Sequence, residues 1–328
     1  MNTWEANIRK VVPYTPGEQP NEPDMIKLNT NENPYPPAPG VTKALKEIHT
    51  DTLRLYPDPT AGDLVHAIAQ NYGLKDEQVF VGVGSDDVLA MSFLTFFNSE
   101  KPVLFPDITY SFYDVWADLF RIPYECKALD ENFCIRKEDY FGENGGIIFP
   151  NPNAPTGRLL PLKEVERILS SNEDKLIAAD EAYIDFGGET AAGIVNRYPN
   201  LIVTQTLSKS RQLAGMRVGL AIASKPLIAG LNAVKNSFNS YTADRLAIAA
   251  ARASFEDTLY FEQTRAKIIQ TRQRTAEELE ALGFDIIPSA ANFIFAKPVG
   301  IGAADLFQAL REEGILVRYF DRPRIGDR

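Results

Sequence analysis

Thr204-Gln-Thr-Leu-Ser-Lys-Ser-Arg-Gln-Leu-Ala-Gly-Met-Arg-Val-Gly-Leu220 decides the reading of this chain. Just upstream, Leu201-Ile-Val-Thr-Gln205 has the length and apolar content of a short buried strand. The chain leaves that strand through Thr206 and Ser208 and presents one lysine, Lys209. Further on, Arg217 stands between Gly215 and Gly219. An amine condenses with an aldehyde, while hydroxyls and a guanidinium hold a phosphate. A lone lysine is most often a solvated surface charge, and serine or threonine beside it also suits a helix cap. A second stretch has to favour the chemical reading.

That stretch is Lys175-Leu-Ile-Ala-Ala-Asp-Glu-Ala-Tyr-Ile-Asp-Phe186. Leu176 to Ala179 is too short for a buried helix and suits a strand covered on both faces. Asp180 ends it, and a carboxylate there is costly without a partner. A protonated pyridine nitrogen is such a partner. Pyridoxal phosphate carries that nitrogen, an aldehyde and a phosphate on one small ring, and the acid keeps the ring an electron sink. Tyr183, three residues on, has the reach for the ring's phenolic oxygen. The competing reading is that Asp180 caps a following helix; it leaves Lys209 unexplained.

At these residues the chain resembles the fold-type-I pyridoxal-phosphate enzymes, and within them the histidinol-phosphate aminotransferases. The resemblance rests on Ala179-Asp-Glu-Ala-Tyr-Ile-Asp-Phe186, Thr206-Leu-Ser-Lys209, Leu213-Ala-Gly-Met-Arg-Val-Gly219, Pro150-Asn-Pro-Asn-Ala-Pro-Thr-Gly157 and Leu55-Tyr-Pro-Asp-Pro59. These occur in the family's order over most of the chain, which makes the set far more specific than any member. The resemblance implies catalytic roles for Lys209, Asp180 and Tyr183. It puts Tyr110 against the cofactor ring and Asn153 on the ring oxygen, although family members commonly carry asparagine where Ala154 stands. It implies a homodimer in which Tyr56 reaches the cofactor phosphate of the other subunit. Tyr14, Asn33 and Arg318 fall at substrate-site positions, Arg318 on a substrate phosphate.

Other loops carry weaker signals. Gln78-Val-Phe-Val81 is a strand running into Gly82-Val-Gly-Ser-Asp-Asp87 and an apolar helix. Gly84, Ser85 and Asp86 there form a candidate phosphate cradle, mostly through backbone amides, with the Asp86 side chain expected to point away. A plain strand–turn–helix is the alternative. No Gly-Lys-Ser/Thr follows, so a nucleotide P-loop is excluded. An unliganded turn is equally open for Pro150 to Gly157, and core packing for any one tyrosine.

Composition narrows the classes. Among 328 residues, 44 acids against 34 bases give a net charge of −10, which disfavours nucleic acid and anionic membranes as partners. Two cysteines, Cys126 and Cys134, and two isolated histidines offer neither a disulfide framework nor a zinc site. Met1-Asn-Thr-Trp-Glu lacks the pattern of a signal peptide, and the reading is cytoplasmic.

The expected fold is α/β: a mostly parallel mixed sheet flanked by helices, of the fold-type-I pyridoxal-phosphate kind, plus a small α+β domain. Residues 1–42 read as an arm on the small domain, 43–238 as the large cofactor domain and 239–328 as the small domain. Ala243 to Leu282 reads as one long helix, broken if anywhere near Phe255-Glu-Asp257. The family's strand Leu-Arg-Ile/Val-Ser/Thr-Ile/Val-Gly, whose arginine clamps the donor carboxylate, is expected near the end and is not found before Arg328. Taken literally, such a chain is expected to bind pyridoxal phosphate and transaminate poorly. Expected partners are small-molecule substrates: glutamate as amino donor and imidazole-acetol phosphate as acceptor. Alternatives are a phospho-amino-acid decarboxylase, an aromatic aminotransferase and a non-catalytic cofactor-binding module.

Overall fold

A computed structural model describes residues 4–20 and 24–328; the signal-peptide reading of Met1–Thr3 and part of the expected arm, 21–23, lie outside the described residues. In chain order the regular elements are β1 (Ile26–Lys27), α1 (Pro39–Lys46), α2 (Gly62–Tyr72), β2 (Val79–Gly82), α3 (Gly84–Phe96), β3 (Val103–Pro106), α4 (Tyr113–Phe120) and β4 (Tyr124–Lys127). They continue with β5 (Gly146–Pro150), α5 (Leu162–Ser170), β6 (Ile177–Asp180), β7 (Leu201–Thr206), β8 (Gly219–Ala223), α6 (Lys225–Phe238), α7 (Arg245–Glu256), α8 (Thr258–Ala281), β9 (Asp285–Ile287), β10 (Phe295–Lys297), α9 (Ala303–Glu312) and β11 (Ile315–Leu316).

Seven strands form one sheet in the order β2-β8-β7-β6-β5-β3-β4. Only β8 runs against its neighbours, so the sheet is mixed and mostly parallel, as expected. Every residue of β2, β3, β5, β6, β7 and β8 is buried, which is why these strands read as unbroken apolar runs rather than alternations. One face packs Leu104, Phe149, Ala179, Val203 and Ile222 under α1, α2, α5 and α7. The other packs Phe105, Ile148, Ala178, Ile202 and Ala221 under α3, α4 and α6.

The helical stretch expected from Ala243 breaks at the place the sequence allows, near Phe255-Glu-Asp257. The long helix is two: Asp257 interrupts it and its side chain accepts from Tyr260 N–H to start α8. Helix α7, beyond residue 238, buries an alanine-rich face against α1 and α2. Beyond it, β9 and β10 pair antiparallel, and β11 pairs parallel with β1, fastening the early chain to the late one. Phe295 and Ile325 close a small cluster with Ile108, Leu129 and Phe133 of the large body.

Side chains alternate faces along a strand, and this pleat sorts the polar residues at the strand ends. Asp180 and its register partner Thr204 look toward α3 and α4. The next residues, Glu181 and Gln205, look toward the other face.

Candidate active site

Strands β6 and β7 are parallel neighbours, so Asp180 and the turn after Thr206 open at the same edge of the sheet. Asp180 is 3% exposed and accepts from Tyr113 Oη at 2.8 Å and, at 3.3 Å, from Ala182 N–H. Both donors are neutral. Burial pushes its carboxyl up to about 6, against the pull of those two hydrogen bonds. Tyr113 opens α4 and is fully buried; no sequence expectation falls on it. Sequence reasoning favoured Tyr110 alone.

Tyr110 stands edge-on to Tyr113, with centroids 5.9 Å apart, and donates to Asp86 Oδ1 at 2.8 Å. Asp86 does not point away as expected; its other oxygen is 3.5 Å from Arg217 Nη2. Arg217 holds a left-handed backbone (φ 53°) that turns its guanidinium over Gly84. Gly84 also has φ +81°, and a Cβ there would meet that guanidinium. At Gly219 a Cβ would overlap the backbone of Gly84 and Ser85, so only glycine lets the first turn of α3 lie against β8. Thr206 and Ser208 hydroxyls, 3.0 Å apart, complete this end.

Lys209 Nζ donates to the Thr30 carbonyl at 2.8 Å and lies 5.7 Å from the Tyr183 ring centroid. Asn31 donates to Tyr183 Oη at 3.1 Å, and Asn33 donates to the Lys209 carbonyl at 2.8 Å. The early segment thus lies directly over the lysine. Asn33, expected on a substrate, also holds the lysine's own backbone; Thr30 and Asn31 carry no signal beyond their place in an Asn-rich run.

The remaining expected residues and the last arginine are placed as follows. Asn153 is buried, donates to the Ile108 carbonyl and Thr156 Oγ1, and accepts from Thr109 Oγ1. Its amide is engaged in holding the 150–157 loop. Tyr14 stacks on Phe112 at 4.2 Å and lies 6.4 Å from Tyr110. Arg318 is exposed, its guanidinium 5.3 Å from the Phe320 ring. Arg328 binds the Asp285 carboxylate at 2.9 Å and is engaged there. Tyr56 is 78% exposed, stacked on Tyr241 at 4.6 Å. Among the described residues no group of three or more His, Cys, Asp or Glu could hold a metal, and no helix is long and apolar enough to cross a membrane.

Compared with known proteins, residues 23–328 match the family model of class I and II aminotransferases. The chain belongs to the class I and II aminotransferases. A histidinol-phosphate aminotransferase 1 of Hydrogenovibrio crunogenus is 56% identical to this aminotransferase over 322 residues, covering 98% of this chain and 90% of that protein. Among solved structures, the histidinol-phosphate aminotransferase of Clostridium acetobutylicum has a TM-score of 0.85 at 26% identity, covering 92% of each chain. That of Sinorhizobium meliloti, solved in complex with pyridoxal-5'-phosphate, shares the fold with a TM-score of 0.83 at 23% identity, covering 92% of this chain and 84% of that one. The expected fold class and family are thereby borne out.

Proposed function

We propose that this aminotransferase uses pyridoxal phosphate to pass the amino group of glutamate to imidazole-acetol phosphate, giving histidinol phosphate in histidine biosynthesis. The observation that carries the cofactor is the buried Asp180 carboxylate. Its hydrogen-bond donors are neutral, a setting that suits the protonated nitrogen of a heterocycle. The donor set at Gly84, Ser85, Thr206, Ser208 and Arg217 suits a phosphate at the other end. The sequence identity to histidinol-phosphate aminotransferases supports the substrate pair.

Pyridoxal phosphate, when bound, supplies an aldehyde for the amino group and a ring that takes up electrons from the reacting carbon. The chain's residues do the rest. Lys209 Nζ holds the cofactor and then takes the proton from the donor α-carbon, as a general base. Asp180 keeps the proton on the ring nitrogen. With the cofactor bound, Tyr183 would supply a hydroxyl for its ring oxygen and Tyr110 an aromatic face for its ring, while Asn153 holds the 150–157 loop. The first-turn amides of α3 at Gly84, Ser85 and Asp86, with Thr206, Ser208 and Arg217, hold the phosphate. Tyr14, Asn33 and Arg318 are the candidate substrate contacts. Supplying glutamate with imidazole-acetol phosphate is expected to yield 2-oxoglutarate and histidinol phosphate. Carbon dioxide release from a phosphorylated amino acid, without 2-oxoglutarate, sinks this reading.

The same reading makes the enzyme a homodimer in the cytoplasm. Two free cysteines suit a reducing compartment. Leu53, Leu55 and Tyr56 are exposed together, yet the Tyr56 backbone is held by Arg245. An ordered aromatic in an apolar exposed loop suits contact with a second copy. If Tyr56 of the partner subunit completes each site, mixing Tyr56→Ala and Lys209→Ala protomers creates dimers with one intact site. After subunit exchange, activity is expected to rise to about a quarter of the unaltered value. Mixtures no more active than either variant exclude a shared site.

A further inference from the structure

The face of β6 and β7 turned away from Asp180 carries a second polar cluster that the reaction as described does not use. Glu181 accepts from Thr190 Oγ1, from Ala191 N–H at 2.7 Å and from Gln205 Nε2 at 3.0 Å, and Gln205 accepts from Tyr72. Burial pushes the Glu181 carboxyl up to about 7. The same side of the fold holds the residues that follow the lysine. Ser210, 3% exposed, donates to Asp185 Oδ2. Arg211, 6% exposed, donates to the Ser254 carbonyl at 2.8 Å. Its guanidinium lies 3.8 Å from the Phe255 ring centroid and 4.3 Å from that of Phe261. Gln212, with φ 57°, donates to Thr264 Oγ1 at 3.1 Å.

Three consecutive residues after the lysine are therefore tied to three places: the loop after β6, the end of α7 and the first turns of α8. A buried guanidinium lost from water is costly, and stacking on two rings with one carbonyl acceptor only partly offsets that. Asp185 lies close enough to favour the Arg211 charge. The arrangement spends polar burial where apolar packing would have been simpler. What it secures is the backbone at Lys209, whose side chain must move while its Cα stays.

We propose that Asp185, through Ser210 and beside Arg211, is a positioning residue for Lys209, fixing the direction of the amine before any cofactor arrives. The proposal rests on the assignment of Lys209 as the cofactor lysine. A misdirected amine loses rate steeply, because a displacement of about 1 Å costs up to about a hundredfold. The asparagine variant keeps an oxygen for Ser210 to donate to, whereas alanine keeps none.

The test uses full-length protein freed of cofactor, and measures the rate at which added pyridoxal phosphate condenses with it. The amine–aldehyde bond forms with loss of water; borohydride then delivers hydride to it, and the labelled peptide is located by mass. Asp185→Ala is expected to slow capture at Lys209 about tenfold and lower kcat alike, with the glutamate KM within about twofold. Asp185→Asn is expected to stay within about threefold of the unaltered rate. Ser210→Ala removes the same hydrogen bond with little loss of volume, and it decides the matter if Asp185→Ala does not fold. Capture at the unaltered rate in a folded Asp185→Ala or Ser210→Ala protein, or an asparagine variant as slow as alanine, overturns the proposal. Absence of label from Lys209 in the unaltered protein overturns the cofactor assignment itself, and that result is distinct from the other two.

Discussion

Lys209→Ala is expected to lower kcat by about four orders of magnitude, the upper end of what a positioned proton-transfer group contributes. The loss is confined to chemistry because the side chain does little for the fold. It is half-buried, and it donates to the Thr30 carbonyl at 2.8 Å. Losing one such bond costs about 1 kcal/mol, so the melting temperature is expected to shift by only a few degrees for a chain this long. The phosphate end does not use the lysine side chain: Gly84 and Ser85 open α3, Thr206 ends β7, and Ser208 and Arg217 stand on either side of Lys209 in the β7–β8 connection. The variant should therefore still take up pyridoxal phosphate, without a bond that borohydride can fix at residue 209. A small amine such as methylamine, added at high concentration, is expected to restore part of the rate by serving as base in the vacated space. Activity within tenfold of the unaltered enzyme would show that another group moves the proton.

Most of this arrangement is readable from the amino-acid sequence. The strand that ends at Asp180 and the one that leads to Lys209 are buried on both faces, so their apolar runs are unambiguous, and the polar residues after them stand out. What stays hidden has physical reasons. Tyr113 binds Asp180 from a helix 67 residues away, and nothing local distinguishes it from a core aromatic. Thr30, Asn31 and Asn33 reach the site through a segment with almost no regular structure, whose path hydrophobic periodicity cannot fix. Asp86 defies the sequence reading because a carboxylate near an expected phosphate looks out of place. Its partners, Tyr110 and Arg217, are brought to it by other strands. Asp185 and Arg211 look like ordinary charges until burial shows their neighbours.

Asp180→Asn is expected to separate stability from function. In the cofactor-free protein, burial holds the Asp180 carboxyl at about 6, against 3.8 for an ordinary aspartate. The folded state therefore binds this proton more tightly than the unfolded chain. Stability from this group is fully present below about pH 4, and is lost as pH rises toward and through 6, where the folded protein must carry a buried charge. The difference of roughly two units corresponds to about 3 kcal/mol by pH 8. Asparagine carries no such charge and can still accept from Tyr113, so the cofactor-free variant should gain on the unaltered protein between pH 5 and pH 8. Glu181 titrates in the same direction, but it is present in both proteins and cancels in the comparison. Function moves the other way. An amide cannot keep a proton on the ring nitrogen, and breaking a buried charge pair costs about 3–5 kcal/mol. Cofactor affinity is expected to fall by about a hundredfold or more, and kcat by about a thousandfold, each tenfold step being about 1.4 kcal/mol. Denaturant midpoints of both cofactor-free proteins at the two pH values, set beside steady-state rates, read both effects. If the variant's midpoint fails to rise relative to the unaltered protein between pH 5 and pH 8, Asp180 is not the uncompensated buried acid that makes this pocket fit a protonated ring.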